Sequence, residues 1–244
     1  MSPAGNEEYM TSDRSVLEQI RGGVVVSSQV MDPRSPLDDP RILAMLAQTG
    51  VLGGAVGARV AGPETVAELR AREPGLPIIA ITKHYEFGTD NYITPLRADA
   101  EALVDAGGSV VAVQNTAGTR PAESFAEIAD AVHSRGALVM ADIATLDEAR
   151  AAVRDGADMV GTTMFGYTGD TKGGARPPLA LIGELVGALK APVIAEGGLW
   201  TPEDVAACFA VGAHAVVVGS AVTAPERIVA RMVAAAPRRG GETS

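Results

Sequence analysis

The sequence predicts a single (β/α)8 TIM barrel, an α/β protein in which eight parallel strands alternate with helices. Three observations predict it. Short runs rich in Val, Ile and Ala recur eight times along the 244 residues. Several of these runs are almost continuously apolar, as parallel strands buried on both faces must be. Their starts fall roughly 20 to 35 residues apart, the length of one strand plus one helix. A doubly wound open sheet would need a glycine fingerprint for a dinucleotide after an early strand, and the chain carries none.

The first strand is expected at Val24–Gln29, followed by a helix over Pro40–Gly50 whose apolar residues fall three and four apart and whose last glycine closes it. Strands follow at Ala55–Val60, Ile78–Thr82, Val110–Thr116 and Leu138–Ile143. The next helix begins at Thr145, an N-cap with Glu148 completing a capping box, and stops at Gly156. After strands at Met159–Thr163 and Val193–Glu196, Thr201 caps a helix that opens with Pro202 and ends at Gly212. The eighth strand is Ala215–Gly219. The barrel domain is expected over residues 15–236, with a frayed segment at 1–14 and a flexible tail at 237–244.

Composition narrows the function. With 20 basic against 30 acidic residues the formal charge is −10, so the surface lacks the cationic field that nucleic acid or an anionic membrane requires. One cysteine, Cys208, excludes a disulfide scaffold and a thiolate zinc cluster, and it falls on an inward helix position. Three scattered histidines make no metal site; His133 and His214 read as structural, and His84 follows Lys83 at the mouth. The N-terminal stretch lacks the cationic start and apolar run of a signal peptide, and no window resembles a spanning helix, so a cytoplasmic location is the default expectation.

Chemistry in such a barrel sits at the carboxyl ends of the strands. Read in order, those ends carry Gln29, Arg59, Lys83, Gln114 with Asn115, Asp142, Thr162 with Thr163, Glu196 and Ser220. The threonines and the serine are what any strand end meeting water would show. Arg59, Lys83, Asp142 and Glu196 are not, because four ionisable groups converging on one mouth must pair or serve a ligand. Gly197 and Gly198 follow strand seven and Gly219 with Ser220 follows strand eight, where barrels often hold phosphate on exposed backbone amides.

The runs VVVSSQ, GAVGARVAG, LPIIAITK, YITP, MADIATLDEA, GTTMFGYT, PVIAEGGLWTPE and AVVVGSAVT resemble, in register from about Arg21 to about Ile228, the N-acetylmannosamine-6-phosphate 2-epimerases. The resemblance implies a cofactor-independent, metal-free isomerase of the carbohydrate epimerase class, acting on an amino-sugar phosphate by proton abstraction next to a carbonyl. It implies substrate contact for Gln29, Arg59, Lys83, Asp142 and Glu196. Lys83 could act as base, Glu196 could return the proton, and Asp142 could hold Lys83 or bind a sugar hydroxyl, with the two faces of the sugar left unassigned between Lys83 and Glu196. Gln114, Asn115, Arg120, Thr163, Phe165 and Tyr167 complete the expected substrate pocket, and a homodimer is the default assembly.

Departures from the family pattern shape the remaining expectations. Gln114 stands for an aspartate, Gly118 for an arginine with Arg120 kept, Phe165 for a serine, and Gly198 and Ala224 for two arginines. Three cations are thus absent where they are expected, which predicts a mouth short of positive charge for a phosphate. Phe165 would offer a flat surface for stacking. Two further readings stay open: a biosynthetic enzyme using the same enolisation or a Schiff base on another phosphosugar, nucleotide-linked or aromatic, and an inactive ligand-binding barrel.

Overall fold

The structure is a computed structural model that describes residues 16–237 except 31 and 33. The expected frayed segment 1–14 and all of the tail beyond Pro237 lie outside the described residues. Eight parallel strands close a barrel in sequence order: β1 Val24–Ser28, β2 Gly57–Ala61, β3 Ile78–Ile81, β4 Val110–Gln114, β5 Leu138–Asp142, β6 Met159–Gly161, β7 Val193–Glu196 and β8 Ala215–Val218. Closure is made by β1 on β8, with Val24 opposite Val216 and Val26 opposite Val218.

Strand alternation divides the core into two shells. Val26, Val60, Ile78, Ala80, Val111, Val139 and Val160 face outward against the helices. Val25, Ile79, Ile81, Val110, Met140, Met159, Ile194 and Val217 fill the barrel interior. The inward parity has a direct consequence for chemistry. Arg59 on β2, Asp142 on β5 and Glu196 on β7 are in phase with the interior residues of their own strands, so each points up the inside of the barrel near its top. From below, a helical segment at residues 16–20 closes the interior, with Ile20 buried in the inner shell and Leu17 packed beside it. His214 holds that segment through Nε2, 2.9 Å from the Leu17 carbonyl.

The outer ring begins with α1 Pro40–Leu52, capped by Asp39, whose side chain accepts from the amides of Arg41 and Ile42. This helix runs two residues beyond the expected stop at Gly50. Gly50 is a packing site, not a terminus: a Cβ there would lie 2.8 Å from Val26 Cγ1, so its absence lets α1 lie close on β1. The ring continues with α2 Pro63–Arg72, α3 Arg97–Asp105, α4 Phe125–His133, α5 Leu146–Arg154, α6 Leu179–Ala188 and α7 Pro202–Ala210. The capping box of α5 (Thr145 with Glu148) forms as the sequence predicts, and Thr201 caps α7 as expected, with Asp204 completing a second box there.

After β8 come a single-turn helix, α8 Ser220–Thr223, and then α9 Pro225–Ala235. Unlike the other long helices, α9 has no buried residue, and Val229, Met232 and Val233 are exposed. Between α1 and α7, where an eighth helix would complete the ring, lies an apolar groove of about 510 Å³. Leu46, Val205, Val218 and Val222 contribute to its lining, which contains no ionisable group. Among the described residues no helix is long and apolar enough to cross a membrane.

Candidate active site

A cavity of about 170 Å³ opens at the carboxyl ends of the strands, and it is where the strand-end residues meet. Its base is an ionic layer centred on Arg59. The Arg59 guanidinium, almost wholly buried, lies 2.6 Å from Asp142 Oδ2 through Nη2 and 3.1 Å from Glu196 Oε2 through Nη1. Thr163 Oγ1 donates to Asp142 Oδ1 at 2.6 Å and lies 3.2 Å from Glu196 Oε2. A hydroxyl has one proton. Asp142 and Glu196 share that one proton, and its contact with Glu196 favours the carboxylate there, against the burial that raises the group. Gly161 makes room for Met140 in this corner, because a Cβ there would fall on Met140 Cε and also lie 3.3 Å from Thr163 Oγ1.

Electrostatics in the layer follow from its burial. Burial opposes the charge on Arg59, but Asp142 and Glu196 outweigh it and keep the guanidinium firmly protonated. Glu196 is pushed up to about 7, first by burial and then by neighbouring Asp142, against the pull of Arg59. Lys83 follows β3 and reaches the same cavity. Its amine is lowered to about 8 by burial and by the Arg59 charge, with Glu196 and Asp142 pulling the other way and Arg227 adding a further lowering. One acid and one amine, whose ordinary values lie far apart, thus titrate near neutrality in one cavity.

Of the residues expected at the site, Gln29, Arg59, Lys83, Thr163, Tyr167, Glu196, Gly197, Gly198, Gly219 and Ser220 all line this cavity. Gln29 donates through Nε2 to Ser27 Oγ at 2.8 Å, while its buried Oε1 has no hydrogen-bond partner among the described residues. A buried acceptor left open at a cavity wall points to a ligand N–H or O–H.

The rest of the expected set lies elsewhere. Asp142 stands behind Arg59, fully buried, and does not line the cavity. Gln114 is turned to the loop after β3: its Oε1 accepts from the amide of Tyr92 at 3.0 Å, and its Nε2 donates to the Asp90 carbonyl at 2.8 Å. Asn115 faces α5, with Nδ2 3.4 Å from the Glu148 carbonyl. Arg120 donates to the carbonyls of Gln114 and Glu123. Phe165 packs against the outer core, where a Cβ at Gly174 would meet its ring. These four side chains build the loops around the mouth. His84 also turns from the cavity, with Nδ1 2.6 Å from Glu86 Oε1.

The expectation of a mouth short of cations is corrected. Arg176, from the loop between β6 and α6, and Arg227, in the first turn of α9, both line the cavity. Neither is on a strand end, so reading strand ends could not find them. Arg227 lies three residues past Ala224, and that one-turn offset was the available signal. Tyr85, Tyr92 and Trp200 also border the cavity from loops, with Trp200 stacked under Arg231 at 4.1 Å. Among the described residues no three His, Cys, Asp or Glu side chains are grouped to hold a metal.

With this geometry in view, comparisons with known proteins agree. The profile of the family described as "Putative N-acetylmannosamine-6-phosphate epimerase" matches residues 43–237. A relative from Clostridioides difficile, described as "Putative N-acetylmannosamine-6-phosphate 2-epimerase", is 39% identical over 221 residues, covering 90% of this chain and 98% of its own. One from Thermosynechococcus vestitus with the same description is 41% identical over 218 residues, covering 89% and 94%. The solved N-acetylmannosamine-6-phosphate 2-epimerase of Clostridium perfringens superposes with a TM-score of 0.86 at 34% identity, covering 90% of this chain and 96% of that one. Matched over nearly its whole length in sequence and in fold, the chain belongs to the N-acetylmannosamine-6-phosphate 2-epimerase family.

Proposed function

We propose that the protein is a cofactor-independent isomerase that inverts carbon 2 of N-acetylmannosamine 6-phosphate, giving N-acetylglucosamine 6-phosphate, and does the reverse. The observation that carries this reading is Lys83 and Glu196 in one cavity with values of about 8 and about 7. Epimerisation next to an aldehyde needs a base to remove the carbon-2 proton and an acid to return one to the other face of the enediol. When Lys83 is neutral and Glu196 protonated, the amine takes the proton and the carboxyl gives one. The pair finishes as ammonium and carboxylate, which are the acid and base for the opposite direction. Proton count is therefore the same before and after, and each epimer is served by one of two tautomers of the pair.

Arg59 fixes Glu196 and offers its charge to the developing enediolate oxygen. Asp142 and Thr163 act as positioning residues by holding Arg59 and Glu196. Gln29 Oε1 supplies an acceptor for a sugar hydroxyl or the acetamido N–H. Gly197, Gly198, Gly219 and Ser220 leave backbone exposed for the phosphate, and Tyr167 borders it. A doubly charged sugar phosphate does not cross a bilayer unaided, which supports a cytoplasmic site of action.

The test is incubation with N-acetylmannosamine 6-phosphate in heavy water. Deuterium at carbon 2 of the product is expected, abolished by Lys83→Ala and by Glu196→Gln. Conversion without deuterium uptake would overturn the proton-transfer reading.

We infer in addition that a second copy of the chain covers the apolar stripe of α9. The stripe Val229, Met232 and Val233 is exposed while the eighth position of the helix ring stands as a groove with no ionisable lining, so each copy offers what the other lacks.

A further inference from the structure

Two cations at the mouth have no role in the proton-transfer pair. Arg176 and Arg227 line the cavity together with the glycine loops that follow β7 and β8. Among the described residues neither guanidinium has a carboxylate partner, although the molecule carries an excess of acidic groups. Arg176 is held in place instead by an aromatic face, its Cζ 4.5 Å above the Tyr167 ring centre.

Room for Arg176 is made by two glycines. A Cβ at Gly198, where φ is +80°, would fall on Arg176 Cβ and come within 3.1 Å of its carbonyl carbon. A Cβ at Gly166, where φ is +86°, would lie 3.2 Å from Arg176 Cδ. A side chain at 198 and Arg176 in its observed position therefore exclude each other. Arg227 is felt by the reacting amine, since its charge contributes to the lowering of Lys83.

Two guanidinium groups at one mouth, both open to water, favour an entering group that brings about two negative charges. A neutral sugar brings none and a carboxylate one, while a phosphate monoester brings close to two and presents oxygens that match the guanidinium fork. We propose that Arg176 and Arg227 are the specificity-determining residues that clasp the phosphate of the substrate between the β6–α6 loop and α9, with Gly198 as the clearance that admits Arg176. The inference rests on the phosphosugar reading above and names the side chains that enforce it. Gly198 and Ala224, which in the sequence look like lost charges, are in this account vacated positions whose charge has moved to Arg176 and Arg227.

The test uses the full chain with Arg176→Gln, Arg227→Gln and the double variant. Each single change should raise KM for N-acetylmannosamine 6-phosphate about tenfold and the double about a hundredfold, with the loss in KM rather than kcat. The preference for this substrate over unphosphorylated N-acetylmannosamine, as a ratio of kcat/KM, should fall in parallel. Lysine at either position should recover part of the loss. Gly198→Ala should raise KM in the same direction by displacing Arg176.

Calorimetric titration with inorganic phosphate gives a readout independent of turnover. Binding to the wild type and none to the double variant is expected. Unchanged KM in both single variants of an active enzyme would overturn the clasp and leave the epimerase standing. A wild type that turns over no phosphosugar, yet loses inorganic phosphate on the double change, would overturn the epimerase and leave the clasp standing. A wild type that binds no inorganic phosphate and shows no preference for the phosphorylated sugar would overturn the clasp.

Discussion

At Lys83 and Glu196 burial moves two groups toward each other, the amine from 10.5 to about 8 and the carboxyl from 4.5 to about 7. The sign of the pH dependence follows. Below about 7 both groups hold their protons and no base is present; above about 8 neither does and no acid is present. The profile of kcat/KM is therefore expected to be a bell centred between these values, read by initial rates across the range. Asp142→Asn removes a charge that raises Glu196, so the acidic limb should move to lower pH. An acidic limb that stays in place would show that Asp142 does not tune Glu196. Strand parity makes Arg59, Asp142 and Glu196 legible in the sequence, because residues two apart on a strand share a face. Gln114 shows the limit of that reading. It has inward parity and a ligand-like carboxamide, but the loop at residues 90–93 takes up both its donor and its acceptor, a contact that no strand pattern encodes.

Among the elements, helix α1 shows the same limit in another form. Its apolar spacing and capping residue locate the start, while a glycine in sequence reads equally well as a stop or as a close approach. The backbone over β1 decides for close approach, and the choice has a measurable sign. Replacing glycine by alanine inside a helix ordinarily stabilises by about 1 kcal/mol. At Gly50 the new methyl would lie 2.8–2.9 Å from all three carbons of the Val26 side chain, including the immobile Cβ, and overpacking of that kind costs about 1–3 kcal/mol. Gly50→Ala is thus expected to lower stability by about 1 kcal/mol, read from the urea midpoint. A rise in the midpoint would mean that α1 has room to move off the sheet. The capping box at Thr145 was legible because cap and Glu148 lie three residues apart, whereas at Thr201 only the cap was, Asp204 being a shorter partner than the usual Glu or Gln. The loop that delivers Arg176 was not, since neither strand nor helix period runs through residues 165–178.

For the whole molecule, a formal charge of −10 reports the surface and says nothing of one cavity, where Arg59, Arg176 and Arg227 gather. Eight strands could be counted from the sequence, but a helix that buries none of its residues on its own barrel could not be told from one that does. If a second copy covers α9, light scattering should give twice the chain mass, and Met232→Glu should halve it; a monomeric wild type would remove the proposal. The floor formed by the segment at residues 16–20 carries a consequence for isotope tracing. With the lower end plugged by that segment, a bound sugar at the mouth slows the trade of hydrons between the catalytic pair and solvent. A hydron taken by Glu196 trades with the Thr163 hydroxyl beside it but slowly with bulk water, so the epimer that Glu196 deprotonates should be recovered from heavy water carrying little label. A hydron taken by Lys83 joins two others on a rotating ammonium, and about two thirds of returns should deliver deuterium. The label left in recovered starting material, compared from the two directions, would reveal which face each group serves.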